Sequence, residues 1–190
     1  DFAWPGWQVL VDSGTYTGTG NRDLNFGGKN IEVVSKYGPA LTVIDCQDSA
    51  RAFYFDGGED STSLVSRFTI ANGNATAPTV LYGGGIYIGM LELPGDPGLL
   101  IPCSPRIENC LFRDCRARYG GGIFVPLGGR SVIANCTFVR DSAYQGGALA
   151  LEGTTSSGIK LNSSLIAYCL GTGIYNLRPT GTLSYQCNVF

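Results

Sequence analysis

Gly120-Gly121-Gly122-Ile123-Phe124-Val125 is a glycine-rich step that leads directly into a short apolar stretch. The same pattern recurs three more times in the chain, as Gly83-Gly84-Gly85-Ile86-Tyr87-Ile88, Gly146-Gly147-Ala148-Leu149-Ala150-Leu151 and Gly171-Thr172-Gly173-Ile174-Tyr175-Asn176. From Gly122 the pattern repeats after 26 residues at Ala148 and after a further 25 at Gly173. A period of this length indicates one small unit stacked on copies of itself, because no such unit buries its apolar face alone. The sequence therefore predicts a solenoid.

A second element repeats with the same period. The stretch Ile107-Glu108-Asn109-Cys110-Leu111-Phe112 matches Ile133-Ala134-Asn135-Cys136-Thr137-Phe138, and Asn162-Ser163-Ser164-Leu165 repeats its second half. Asn tolerates the left-handed backbone that a one-residue bend requires, so we place these Asn residues at a bend between two strands. Side chains alternate along a strand, which predicts that the residues pointing inward after the bend are Cys110, Cys136 and Ser163, and then Phe112, Phe138 and Leu165.

The glycine-rich strand follows the same alternation. Its expected inward pairs are Phe53/Phe55, Ile86/Ile88, Ile123/Val125 and Leu149/Leu151. Its expected outward residues are Tyr54, Tyr87, Phe124, Ala150 and Tyr175. This is an aromatic column without charge. Such a column either lies against a sugar or a protein surface, or stabilises the sheet by stacking within it, and both interpretations stay open at this point.

Composition favours strands and turns over helices. The 190 residues include 28 Gly and no His, which suits one all-β domain over residues 1–190 with little or no helix. A net charge of −2 and a pI near 5.0 do not provide the basic surface that nucleic acid requires. No apolar run approaches the ~20 residues that span a bilayer.

Taken together, these repeats resemble the right-handed parallel β-helix of the pectin-lyase-like superfamily. The nearest resemblance is to the repeats of polymorphic membrane proteins and related secreted β-helix proteins, which alternate a Gly-Gly-Ala/Gly-Ile element with a Phe-x-x-Asn element. The second element is degraded here, since Phe112-Arg113-Asp114-Cys115 and Phe138-Val139-Arg140-Asp141 lack the Asn. With the counted period of 25–26 residues, the chain is expected to form roughly seven coils. The resemblance says little about function, because this fold carries enzymes, adhesins and structural proteins alike.

Neither end of the sequence shows an obvious cap. We therefore expect either a piece or repeating unit of a longer assembly, or ends that are covered by other copies of the chain. Trp4 and Trp7 are interpreted as ordinary core aromatics, with a plug for the first coil or a knob in an end-to-end contact as the alternatives. The apolar, proline-rich segment 89–105 is predicted to be a loop in which proline prevents regular pairing, lying on the solenoid flank or on a neighbouring subunit.

Candidate chemistry in the sequence is sparse. The absence of His and of paired carboxylates on one strand face predicts a protein that is not an enzyme and needs no cofactor. Asp56, Glu59 and Asp60 form a weak calcium candidate by ligand type alone, and a solvated turn is the simpler interpretation. Charged residues 113–118 and 140–141 are expected to form salt bridges between coils, with an anionic-ligand patch as the lesser alternative.

Cysteines and glycosylation motifs favour an extracellular or cell-surface protein. The chain has seven Cys, and Cys110 and Cys136 occupy equivalent inward positions on adjacent coils, where either a disulfide or a stack of reduced thiols fits. Among the Asn-x-Ser/Thr motifs, Asn74 is the preferred glycan acceptor because its surroundings read as a loop, ahead of Asn135 and Asn162.

These observations favour a non-enzymatic structural or adhesive β-helix outside the cell that associates with itself or with a larger surface assembly, in the extreme as an end-to-end fibre. The candidate contact residues are Tyr54, Tyr87, Phe124, Tyr175, Trp4 and Trp7. A carbohydrate-active protein, either lyase- or hydrolase-like or a glycan-binding module, is the alternative.

Overall fold

The computed structural model is an all-β parallel solenoid of about six turns, slightly fewer than the seven expected. The structure describes residues 3–78, 80–96, 98–152, 159–177 and 184–186. A single 3-10 turn, Thr19–Asn21, is the one helical element in these residues. The prediction of a β-solenoid with almost no helix is confirmed.

Two long parallel sheets form two faces of the solenoid, with strands numbered in chain order. The seven-stranded sheet runs β1 (Gln8–Val11), β3 (Glu32–Ser35), β6 (Leu64–Ser66), β12 (Arg106–Glu108), β16 (Val132–Ala134), β20 (Lys160–Asn162) and β23 (Ser184–Gln186). The six-stranded sheet runs β2 (Gly14–Tyr16), β4 (Thr42–Asp45), β7 (Thr69–Ala71), β13 (Leu111–Arg113), β17 (Thr137–Val139) and β21 (Leu165–Ala167).

The remaining parallel strands close each coil. The glycine sheet, which follows the glycine-rich steps, runs β5 (Phe53–Phe55), β9 (Ile86–Ile88), β15 (Ile123–Val125), β19 (Leu149–Leu151) and β22 (Ile174–Asn176). A short sheet joins β8 (Asn74–Ala75), β14 (Arg116–Tyr119) and β18 (Ser142–Gln145). An antiparallel hairpin of β10 (Met90–Glu92) and β11 (Leu100–Pro102) projects from the third coil.

Glycine is required where the short sheet turns into the glycine sheet, because consecutive coils touch there through their backbones. A Cβ on Gly121 would lie 2.3 Å from the carbonyl oxygen of Gly147, one coil further on. Gly120, its neighbour, has a φ of 67°, a conformation that L side chains rarely adopt. The glycine repeat is therefore a requirement of coil spacing, as the sequence indicated.

The core lies inside the coils and has the predicted aliphatic and aromatic composition. All four expected inward pairs of the glycine sheet are buried, from Phe53/Phe55 to Leu149/Leu151. Phe112 and Phe138 also point inward and stack with ring centroids 4.8 Å apart. Stacking of equivalent side chains from successive coils extends one core along the whole array.

The predicted bend is correct at two coils and wrong at the third. Asn109 and Asn135 have φ values of 56° and 53°. In the next coil Asn162 pairs with Ala134 as the last residue of β20, and Ser163 takes the positive φ of 47°. Two extra residues precede this bend, so Ser164 and Ile166 are the buried residues and Leu165 is exposed.

The segment 89–105 is a paired hairpin, so the expectation of an unpaired loop is wrong. Met90 pairs with Pro102 and Glu92 with Leu100. Pro94 lies in the connecting turn and Pro102 is the last residue of β11, positions where proline does not interrupt the ladder. Pro97 lies outside the described residues.

Candidate functional site

The outward residues of the glycine sheet form the expected aromatic column, but their ring faces cover one another. Tyr54 and Tyr87 stack at 5.2 Å and 16°, and Tyr87 and Phe124 stack at 5.7 Å and 3°. The column then stops at Ala150, which is buried and pairs with Tyr175. Since Tyr87 has a ring on each side, the geometry supports stacking within the sheet and leaves little ring face for a sugar.

Two side chains that the sequence analysis did not single out complete this aromatic cluster. Tyr82 packs on Phe124 with centroids 4.5 Å apart, which leaves Phe124 only 2% exposed. The Arg51 guanidinium lies 5.4 Å from the Tyr54 ring and 5.2 Å from the Tyr87 ring. Arg51 is buried, its Nε lies 3.5 Å from Asp23, and burial lowers its pKa. Arg51 therefore contributes cation–π contacts to the sheet face.

The calcium candidate does not assemble. Both oxygens of the buried Glu59 carboxylate accept backbone N–H groups, Oε1 from Gly28 at 2.9 Å and Oε2 from Gly57 at 3.0 Å. Asp56 instead accepts a hydrogen bond from Asn25, and Asp60 accepts two from Thr62.

Across the described residues, no group of three His, Cys, Asp or Glu side chains is arranged to hold a metal ion. Instead, Glu59 holds loops of two coils together. It also accepts a hydrogen bond from the Cys103 thiol, and burial raises the pKa of that thiol to about 12.

The two stacked cysteines are free thiols. Cys110 and Cys136 both point inward and are buried, as predicted, and the reduced alternative is the one the structure contains. Each thiol donates to the carbonyl two residues earlier in the chain, that of Glu108 and that of Ala134 respectively, at 3.3 Å. The six described cysteines are all unbridged, and Cys187 lies outside the described residues.

Two of the three glycosylation motifs occupy different positions from those expected, and Asn135 lies at the predicted bend. Asn74 lies in β8 rather than in a loop, and its Nδ2, the atom a glycan would modify, donates to the Asp48 carbonyl at 3.0 Å. Asn162 lies half-buried in β20. Asn135 is exposed at the bend, which makes it the most accessible of the three acceptors.

Charged side chains on the flank link neighbouring coils. Arg140 makes two hydrogen bonds to the Asp114 carboxylate one coil earlier, at 2.8 and 2.9 Å. Arg116 pairs with Asp48, two coils earlier, at 3.0 Å. Salt bridging between coils was predicted and is confirmed, with one exception. Asp141, which sequence reasoning grouped with these residues, is fully buried.

The N-terminal end of the solenoid presents apolar surface and an open strand edge. Trp4 and Trp7 are 68% and 56% exposed, so their interpretation as core aromatics is wrong. An apolar cavity of about 300 Å³ opens next to them, lined in part by Val9, Phe26 and Phe53.

Strand β1 has β3 as its one partner among the strands described. The carbonyls of Trp7 and Val11 accept hydrogen bonds from Glu32 and Lys36. Because alternate residues of a parallel strand face the same neighbour, the backbone groups of Leu10 point to the open side.

Exposed apolar side chains are concentrated at particular places. Of the fourteen large ones in the described residues, six lie within residues 4–41, three on the hairpin and four within residues 144–170. Only Tyr82 belongs to the middle coils outside the hairpin. Within the described residues, the flank of the middle coils is therefore largely covered by its own side chains, whereas the first coils and residues 144–170 carry most of the exposed apolar side chains.

Comparison of the chain with protein-family models, with curated proteins and with solved structures finds no match to any of them. The parallel solenoid is thus established by the structure itself, and membership of a particular β-helix family stays a prediction. In the part of the chain that the structure describes, no helix has the length and apolar character needed to cross a membrane.

Proposed function

We propose that this chain is a non-catalytic structural element, an extracellular β-solenoid that associates end to end with further copies of itself. The observation that carries the proposal is the contrast between its surfaces. Outward side chains on the flank contact one another across coils, whereas the ends combine exposed apolar groups with the unpaired edge of β1. An exposed edge of this kind favours pairing with another strand.

The direction of the strands supports a head-to-tail contact. β1 and β23 are the outermost strands of the seven-stranded sheet, and every pairing in that sheet is parallel. A second copy placed with its β23 beside β1 would continue the ladder in the same sense. Such a contact does not close on itself, so repetition produces a fibre. An extracellular location is supported by the Asn-x-Ser/Thr motifs, of which Asn135 is the favoured acceptor.

The proposal is tested by blocking the open edge without disturbing the folded coil. Leu10→Pro removes an N–H that faces away from β3, and proline is tolerated on an edge strand. Leu10→Val keeps that N–H and is the matched control. Light scattering across a concentration series, with negative-stain microscopy, is expected to show association of the wild type and of Leu10→Val and mainly monomers of Leu10→Pro.

Three results would count against the proposal in different ways. If the wild-type protein stays monomeric at high concentration, the proposal of end-to-end assembly is wrong. Association that survives Leu10→Pro moves the contact away from β1. Turnover of uronic-acid polymers in the presence of calcium, retained through purification, would favour the carbohydrate-active alternative.

A further inference from the structure

The corner that follows the six-stranded sheet carries an unusual sequence of inward side chains, of which the first two are buried and the third is half-buried. In three successive coils the inward residue at this corner is Cys115, then Asp141, then Cys169, and the pairing of β13, β17 and β21 aligns all three. In each coil the preceding residue has a positive φ, which turns the chain sharply, as in Arg140 with φ 56°. A carboxyl group therefore occupies a position where the coils on either side place a thiol.

Asp141 is fully buried and only half satisfied. Its Oδ1 accepts the backbone N–H of Cys115 at 2.8 Å, whereas its Oδ2 is buried without a hydrogen-bond partner. Its main-chain carbonyl accepts the N–H of Leu170 at 2.9 Å, so the residue joins the coil before it to the coil after it. An ionised carboxylate with an unsolvated oxygen is costly in such a place, and the protonated acid is much less so.

The neighbouring charges do not offset this cost. The groups that face Asp141 are Asp114 and Cys115 from the preceding coil, Arg140 beside it and Cys169 from the following coil. Arg140 is the one cation among them, and its guanidinium is already bound to the Asp114 carboxylate. Burial is the main cause that raises the pKa of Asp141 from 3.8 to about 8, hydrogen bonding by Cys115 opposes the rise in part, and the Asp114 charge adds to it.

We propose that Asp141 is a neutral carboxylic acid in the folded protein near neutral pH, and that its ionisation loosens the corner that attaches the following coil. This effect of Asp141 does not depend on the proposed end-to-end contact, because Asp141 lies inside the solenoid. Ionisation of Asp141 makes the stability of the last coils depend on pH. A protein exported into a mildly acidic surrounding would hold these coils most firmly there.

The direction of the effect follows from proton linkage. The folded state keeps a proton on Asp141 up to a pH of about 8, whereas the unfolded chain releases it near 3.8. Stability from this group is therefore complete below the lower value, falls as pH rises between the two, and levels off above the higher one. The chain contains no His, the residue that usually titrates between pH 5 and 8, so Asp141 stands out in that window.

The test compares urea unfolding of the wild type, Asp141→Asn and Asp114→Asn from pH 5 to 8 with a reducing agent present. Asn keeps the shape and the acceptor of a protonated Asp but does not titrate. The folding equilibrium constant of the wild type relative to Asp141→Asn is expected to fall by up to about tenfold per pH unit. Asp114→Asn removes a charge that helps to raise the pKa of Asp141 and releases Arg140 from its ion pair, so this variant is expected to keep the decline but to level off at a lower pH than the wild type.

Two further measurements keep the proposal open to refutation if Asp141→Asn folds poorly. Asp141→Cys installs the residue found at the neighbouring positions and is expected to be equally insensitive to pH up to 8. Infrared spectra of the wild type at pH 6 are expected to contain a protonated-carboxyl band that is lost by pH 9. Parallel pH profiles for the wild type and the two Asp141 variants, or the absence of that band, would overturn the proposal.

Discussion

The middle coils and the N-terminal end are built from the same repeat but differ in what their outward groups contact. In the middle, Phe124 stacks on Tyr87, and Arg140 binds Asp114 across coils. At the N-terminal end, Trp4 and Trp7 point into solvent beside an open cavity. In a solenoid, the side chains of each coil make their contacts with the coils before and after it. The exposed side chains of the first coil therefore show which contacts a coil loses when it has a neighbour on one side only.

The largest expected effect is a break in the close approach of the middle coils. Gly121→Ala would place a Cβ 2.3 Å from the Gly147 carbonyl oxygen and under 3 Å from the Ser142 backbone, so the two coils would have to move apart. We expect a loss of about 4 kcal/mol or more in the free energy of unfolding, or failure to fold. Gly20→Ala is the control, because nothing lies within 4 Å of that Cβ. Equal stability of the two variants by urea denaturation would contradict the close-approach account.

The next effect contrasts an aromatic residue of the middle with one of the end. Phe138→Ala removes a fully buried ring stacked on Phe112 and is expected to cost about 3–5 kcal/mol. Trp7→Ala removes a mostly exposed ring and is expected to change the free energy of unfolding by no more than about 0.5 kcal/mol. Denaturation curves measure both. A large loss in Trp7→Ala, at a concentration where the chain is monomeric, would show that the ring packs on its own coil.

A smaller effect is expected where the hairpin joins the solenoid. Glu59→Ala leaves the N–H groups of Gly28 and Gly57 and the Cys103 thiol without their acceptor, which is expected to cost about 1–3 kcal/mol. Hydrogen exchange is expected to rise at the base of the hairpin before the middle coils respond. Asp56→Ala removes a neighbouring, half-buried carboxylate that accepts a hydrogen bond from the Asn25 side chain, and it serves as the control. Equal hydrogen exchange in both variants would contradict the conclusion that Glu59 holds these loops together.

The smallest effect concerns the charged links on the flank. Hydrogen bonds and ion pairing with Arg140 and Arg113 hold the pKa of Asp114 below its usual value. The stability that it contributes is present above the ordinary pKa of an Asp and is lost as pH falls through the depressed one. Wild type and Asp114→Asn are therefore expected to differ slightly at pH 6 and to converge under acid, as followed by circular dichroism. A difference that grows in acid would contradict this sign.

Much of the fold was predictable because the close spacing of the coils requires particular residue types at fixed positions in every repeat. The glycine steps, the inward pairs and the stacked Phe112 and Phe138 all follow from a fixed period and from side-chain alternation. The prediction of strand register was wrong at the coil where the repeat is two residues longer. The bend expected at Asn162 lies at Ser163, because the longer connection before β20 shifted the alignment. Pattern matching finds a residue type, whereas the hydrogen-bonded ladder decides which residue actually turns.

The candidate surfaces were less predictable, because burial depends on groups far away in the sequence. Alignment placed Tyr54, Tyr87 and Phe124 in one column, but Tyr82 and Arg51, which cover it, belong to other segments. Asp141 was detectable in principle, since it lies 26 residues after Cys115 in the inward position. Its neighbours in the sequence are charged, and this made it look like part of the exposed network.

The repeat, the parallel stacking and the composition of the core could be read from the residues alone, because these features depend on a short period and on side chains that alternate. Which outward aromatics are covered, that Glu59 accepts hydrogen bonds from the backbone, and that Asp141 is buried with an unpaired oxygen became visible only in the folded chain. Each of these depends on contacts between coils. The electrostatic environment of a side chain is set by neighbours that its own segment does not contain.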